Sequence, residues 1–206
     1  LHGTFTFDGL VLENVGVRQA GGDFHPYRTI GNKPSLSLKF NEFVKGQKLH
    51  GLEKLVLKNQ IQDLSLVNEH LTYEVFRRAG LAAAMTAYAV VTINGQLNGI
   101  YLMREPVNNE FMLRNFGSDK VDGNLYEFDL NSGDLARNPR GIPLKDEKED
   151  NRRRDDIVEL AAVVSAVPAQ FFVAAASPVL DIDRYITFFA TEAVTSDMDG
   201  FSFHDN

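Results

Sequence analysis

The chain reads as an α+β protein built from two lobes. Two observations predict this: short β-rich runs fill the first half, and long stretches with apolar residues at helical spacing fill the second. A third is the lack of any internal repeat, which sets aside solenoid and propeller architectures. With 206 residues, 44% of them hydrophobic, there is enough apolar material for a packed core.

The strands come first. GTFTFDGLVLENVGVRQ pairs Phe5 with Phe7, Leu10 with Leu12 and Val15 with Val17 at a spacing of two, punctuated by Gly and Asn. Residues 20–34 are rich in turn formers and read as a loop. SLSLKF alternates strictly, with Leu36, Leu38 and Phe40 on one face and Ser35, Ser37 and Lys39 on the other. LEKLVLKN predicts a further strand ending near Asn59.

DLSLVNEHLTYEVFRRAG predicts a helix. Asp63 or Ser65 can cap its start, and Gly80 stands where a left-handed C-terminal cap belongs. AYAVVTINGQLNGIYLMRE is a hairpin turning at Asn94-Gly95, a pair that accepts positive φ. Beyond residue 107 the chain grows more polar. NEFMLRNFG predicts a short helix, GNLYEFDL a short strand, and KDEKEDNRRRDD a solvated charged segment. DDIVELAAVVSAV and DIDRYITFFATEAV predict two helices. The second has Ile182, Tyr185, Ile186, Phe189, Ala193 and Val194 as its apolar face. The implied organisation is a strand-rich lobe over 1–107, a linker or insert over 108–155, and a helical lobe over 156–206.

Composition excludes several function classes. A net charge of -7 lacks the basic footprint of a general nucleic-acid binder, so no nucleic-acid partner is expected. No apolar run reaches membrane-spanning length, so no membrane span is expected. The absence of cysteine removes disulfides, thiolate metal sites and cysteine nucleophiles together. G-x-S-x-G and H-E-x-x-H are absent, which sets aside the common serine-hydrolase and zinc-peptidase patterns. DMDG superficially resembles a calcium loop. With Gly200 at the sixth position, however, Thr195 falls at the first and Asn206 at the twelfth, where a bidentate Glu is needed.

The candidate residues are few. Lys39 shares a strand face with two serines and can either contact phosphate oxygens or simply face water. Glu69 lies on a helix stripe with Thr72, Tyr73 and Phe76; if it points inward it wants a cation, and Lys39 is the natural partner. RQAGGD is a weak candidate for a phosphate-covering loop, and a simple turn explains it more readily. In DGFSFHDN, Asp199 precedes Asn206 by seven positions; phosphoryl transfer needs a base Asp and a metal-holding Asn, but the standard kinase loop has a shorter gap and an H-R-D lead-in, neither of which is present here.

In order, GVRQAGG, NKPSLSLKFN, LKNQIQDLSLVNEHLTYEVFRRAGL, INGQLNGIYLMREPVN, GNLYEF and DRYITFFATEAVTSDMDGFSFHDN resemble the CotH kinase family, the relatives of spore coat protein H. The resemblance covers nearly the whole chain. It implies a remote protein-kinase-like, two-lobed fold with a truncated C-lobe. It also implies an atypical protein Ser/Thr kinase that uses ATP with Mg or Mn on a protein substrate, at a secreted, cell-surface or spore-coat location. Residue by residue, it makes Lys39 the lysine on the nucleotide phosphates, Glu69 its helix partner and Glu105 a residue near the adenine end. Asp199 becomes the catalytic base, and Asn206 begins the metal-binding segment. Lys33, Lys54 and Lys58 compete for the role of Lys39. The family continues into an Asn/Tyr-rich strand and a W-D-x-D element, so residues 1–206 are expected to form an incomplete kinase, inactive alone. The rival reading is a non-catalytic surface or coat protein that keeps the fold for binding. A calcium or carbohydrate module rests on DMDG alone. The sequence does not set an oligomeric state.

Overall fold

Strand alternation in the first half resolves into one antiparallel sheet. In a computed structural model, which describes residues 1–20, 29–119, 123–127, 135–145 and 154–196, six strands follow the order β1-β2-β3-β4-β6-β5. They are β1 (His2–Phe7), β2 (Leu10–Gln19), β3 (Leu36–Lys39), β4 (Lys54–Lys58), β5 (Thr86–Ile93) and β6 (Gln96–Arg104). Every neighbouring pair is antiparallel. The described helices are α1 (Asn68–Arg78), α2 (Asn109–Phe116), α3 (Asp155–Ala166), α4 (Phe172–Ala176) and α5 (Ile182–Thr195). The architecture is therefore α+β, as the order of patterns predicts.

The chain divides into two compact units. The first holds residues 1–74 and 82–115, and the second holds 75–81 and 116–206. In the first, the register decides the chemistry of each sheet face. Val17 faces Leu38, which faces Leu55; Leu36 faces Leu57, which faces Met103. These residues, with Val15, Phe40, Leu49 and Tyr101, make the core, and Phe5 meets Phe40 edge to face at 5.3 Å. The opposite face carries Ser37, Val56, Arg104 and Thr86 in one row across the strands.

Helix α1 is fixed at both ends by short polar groups. Asp63 accepts hydrogen bonds from the Ser65 N–H (2.9 Å), the Ser65 hydroxyl (2.6 Å) and the Asn68 N–H (2.7 Å). The Val67 N–H donates to the Ser65 hydroxyl at 3.3 Å, so both expected capping residues act. At the far end Gly80 has φ +80°. There the Leu81 N–H reaches the Phe76 carbonyl and the Gly80 N–H the Arg77 carbonyl, each at 3.0 Å, which is a Schellman closure.

Tyr101 is fully buried, yet among the described residues its hydroxyl has no hydrogen-bond partner. Burial pushes its phenol pKa up to about 12. An unpartnered buried hydroxyl destabilises the fold, so Tyr101→Phe is expected to raise stability by about 1 kcal/mol. Urea unfolding checks this, and a loss of similar size would show that the hydroxyl is satisfied.

In the second unit the expected strand at GNLYEF is only one bridge, Tyr126 to Leu144. Its flanks close with the Lys145 N–H on the Leu125 carbonyl at 2.8 Å and the Glu127 N–H on the Pro143 carbonyl at 3.1 Å. The Tyr126 hydroxyl donates to Asp156 (2.6 Å), and the Asn124 amide donates to the other carboxyl oxygen (3.0 Å) at the start of α3. Burial works to raise the Asp156 pKa, but these hydrogen bonds and the first helical amides outweigh it and leave it below the ordinary 3.8. A lowered carboxyl pKa contributes stability above the unfolded value, and that stability is lost as pH falls through the folded value. Tyr126→Phe should therefore cost about 0.5–1 kcal/mol near neutral pH, discounted for solvent exposure. It should also flatten the loss of stability below the ordinary carboxyl pKa, which urea unfolding at stepped pH measures.

Helix α5 differs from its expected face. Ile186 is 59% exposed and Val194 76% exposed, while Thr191 and Glu192 are buried. The Thr191 hydroxyl donates to the Thr187 carbonyl at 2.7 Å, so that threonine enters the interior with its polar group already satisfied. Phe188, absent from the expected face, meets Phe76 at 5.5 Å.

Candidate functional site

The helix-facing side of the sheet is the candidate surface. By register and alternation Lys39, Lys54 and Lys58 join Ser37, Val56 and Arg104 on this face, with Lys39 directly opposite Lys54. Two like charges opposite one another disfavour the sheet unless anions answer them. Part of the answer is local: the Lys39 ammonium lies 2.6 Å from the Glu42 carboxylate. Its hydrogen bond and charge hold the Glu42 pKa below the ordinary range. Gly16, opposite Lys39, allows this approach, because a Cβ there would come within 2.8 Å of the Glu42 Cβ. Lys33, a competing lysine, lies elsewhere, with its ammonium 5.4 Å from the Tyr101 ring centroid.

Helix α1 packs polar groups onto the same face. The His70 Nδ1 and the Thr86 hydroxyl are 2.7 Å apart, and the Tyr88 hydroxyl donates to the Leu66 carbonyl at 2.5 Å. Glu69 does point inward, but its partners are not Lys39. Gln60 donates its side-chain amide to the Glu69 carboxylate at 2.6 Å, and the Arg104 guanidinium stands 3.9 Å from the other oxygen. The expected Lys39–Glu69 pair is therefore corrected: Lys39 is taken by Glu42, and Arg104 occupies the sheet position nearest the helix carboxylate. Arg104 also donates to the Tyr73 hydroxyl at 3.3 Å.

Glu105 follows at the end of β6 and is 7% exposed. Its carboxylate accepts the Met85 N–H at 3.0 Å and the Arg114 Nε–H at 3.1 Å, and Arg114 Nη2 pairs with one of its oxygens. Arg114 Nη2 also donates to the Ala83 carbonyl at 3.1 Å. This clamp joins β6, the segment before β5 and helix α2. Asp199 and Asn206, the expected base and metal ligand, lie outside the described residues, as does His204. Among the described residues no group of three or more His, Asp or Glu could hold a metal ion.

Sequence reasoning missed Arg104, Gln60 and Arg114. Arg104 was legible, since it stands two positions from Leu102 on the helix-facing side of a clear strand. Gln60 and Arg114 left no local signal, because their partners are nine residues away in each case.

The described residues thus form an α+β architecture with a helix carboxylate on the cationic face of the sheet. Residues 21–206 match the family model described as CotH kinase protein, and the chain belongs to that family. It is similar to "Inner spore coat protein H" of Bacillus subtilis (strain 168), at 25% identity over 165 residues, covering 77% of this chain and 46% of that protein. The chain thus spans about half the length of the curated relative it matches. Among the described residues no helix is long and apolar enough to cross a membrane.

Proposed function

We propose that the protein is an ATP- and divalent-metal-dependent protein Ser/Thr kinase with a remote, two-lobed kinase-like fold. The observation that carries this reading is membership of the CotH kinase family across residues 21–206, a span that includes Asp199 and Asn206. The cationic sheet face supports it, because phosphoryl transfer asks the protein for positioning and charge neutralisation more than for covalent chemistry. In this reading Lys39 faces the nucleotide phosphates, with Lys54 and Lys58 on the same face as competitors. Glu69 orders that face from α1, and Glu105 fixes the end of β6 near the adenine end. Asp199 accepts the proton of the acceptor hydroxyl, and Asn206 offers a carbonyl oxygen to the metal. An Asn carbonyl is a hard oxygen donor, which suits Mg or Mn. The bound metal supplies charge neutralisation at the phosphates.

A second reading has its own support. The curated relative is named as a spore coat protein, which favours coat association and a binding role for the same fold. One experiment separates them: the full-length gene product is incubated with labelled ATP and Mg or Mn, with itself and a Ser-rich peptide as acceptors. Metal-dependent transfer supports the kinase; tight association with coat material and no transfer in either metal supports the binding protein.

A further inference from the structure

We propose that β5 is a dimerisation edge: two copies of the protein join their sheets by antiparallel β5–β5 pairing about a two-fold axis at Val90. Nothing in this pairing depends on phosphate transfer, and every residue it uses belongs to the first unit. β5 closes one side of the sheet, with no described strand beyond it. Its eight residues, TAYAVVTI, include no charge, no proline and no glycine. Sheet edges are normally blunted by charged side chains, proline, short length or a bulge, because an unguarded edge templates pairing with another chain. None of these devices is on β5. The register shift between Val91 and Thr92 puts the extra residue, Asn98, on β6, so β5 itself runs unbroken. The opposite edge, β1, is shorter at six residues and carries Gly3, which weakens a strand.

The sheet face beside this edge is apolar and open. Val90 is 70% exposed and Leu97 68%, and Tyr88 and Ile100 are exposed with them. Val90 lies directly opposite Ile100, and Thr92 opposite Leu97, so these side chains share the face that carries Thr86 and Arg104. The described contacts of α1 with β5 stop at Tyr88, and Val90 stands two residues beyond them. A contiguous apolar strip of this kind marks an interaction surface.

The occupant is a second copy because β5 is complementary to itself. A two-fold axis at Val90, normal to the sheet, sets Val90 opposite Val90 of the second copy and Tyr88 opposite its Thr92. On the core-side face Ala89 meets its Val91, and Ala87 its Ile93. Each pair joins residues on one sheet face, and every pair is uncharged, so no like charges oppose one another. On a chain of net charge -7, this strip lets two copies approach without local repulsion. The exposed side chains merge into one row across the junction, Ile100–Val90 meeting Val90–Ile100. Such an isologous pairing uses both β5 edges at once and leaves neither to recruit a third copy. The eight strand residues with Leu97 and Ile100 make roughly half the complement of a standard interface, so association is weak, with Kd on the order of 10–100 µM.

The test is sedimentation velocity of the full-length gene product from about 1 to 300 µM. The unsubstituted protein should pass from monomer to dimer across that range. Val90→Lys sets two ammonium groups opposite each other and should weaken association by at least about tenfold, as should Val90→Glu with its carboxylates. An equimolar mixture of the two variants should regain association, since position 90 faces itself in this register. Directly opposite Cα atoms in an antiparallel pair stand about 4.5–5.5 Å apart, within disulfide reach. Residues 1–206 contain no cysteine, so Val90→Cys should add a crosslink between copies under mild oxidation. Thr92→Cys, which faces Tyr88 of the second copy, should not. A monomer at every concentration overturns the proposal, and binding of an extended uncharged peptide to that monomer would assign the edge to another protein's strand. A dimer that survives Val90→Lys, or that the mixed variants do not restore, overturns it as well. If a charged variant lowers the unfolding midpoint, the cysteine pair carries the test, and crosslinking at 90 no greater than at 92 overturns the proposal.

Discussion

Arg114→Met should destabilise the first unit by about 3 kcal/mol. The substitution keeps most of the aliphatic stem but removes the guanidinium. Glu105 then stays buried with one donor, the Met85 N–H, in place of three. An uncompensated buried carboxylate is costly, and the cost comes from the charge left behind more than from the pair that is lost. The Ala83 carbonyl loses a donor at the same time. Replacing both partners, Arg114→Met with Glu105→Gln, should recover a substantial part of the loss, since a neutral amide tolerates the site better than a charge. Urea unfolding of the single and double variants forms the cycle. Additive losses would show that Arg114 and Glu105 act independently.

Asp199→Ala should lower phosphate transfer by about 100- to 10,000-fold in the full-length gene product, the range that removal of a positioned general base produces. Transfer itself is the readout, with ATP and either Mg or Mn supplied. The unfolding midpoint should stay near that of the unsubstituted protein, which separates loss of chemistry from loss of fold. Equal transfer in both proteins would remove Asp199 from the mechanism. Asn206→Ala is expected to act differently, shifting the metal concentration needed for half-maximal rate more than the rate at saturating metal. The two variants thus separate proton acceptance from metal holding.

How far the sequence was legible varied with the range of the interaction. Strand β3 was readable because a period of two in SLSLKF admits only one way to bury Leu36 and Leu38. Helix α1 was readable at both ends because its caps lie within a few residues of the turns they close. The hairpin β5–β6 turned where Asn94-Gly95 demanded it, with Asn94 at φ +50°. Helix α5 was readable as a helix but not in its orientation. A hydrophobicity pattern scores Thr191 and Glu192 as polar and Ile186 as apolar, whereas burial follows which groups find partners.

Charge pairing was the least legible feature. Lys39 and Glu69 were expected to meet because each alone looked in need of a partner. The choice was made by register and proximity. Glu42, three residues on, reaches Lys39 first, and the β4–β6 pairing brings Arg104 beneath Glu69. The family and the α+β class were therefore determined by the sequence alone, through local periodicity, turn chemistry and the order of short motifs. Which cation serves Glu69, and the burial of Glu105 under Arg114, were decided only by tertiary structure. Local patterns report one residue's preference, while an ion pair depends on where two distant segments are brought together.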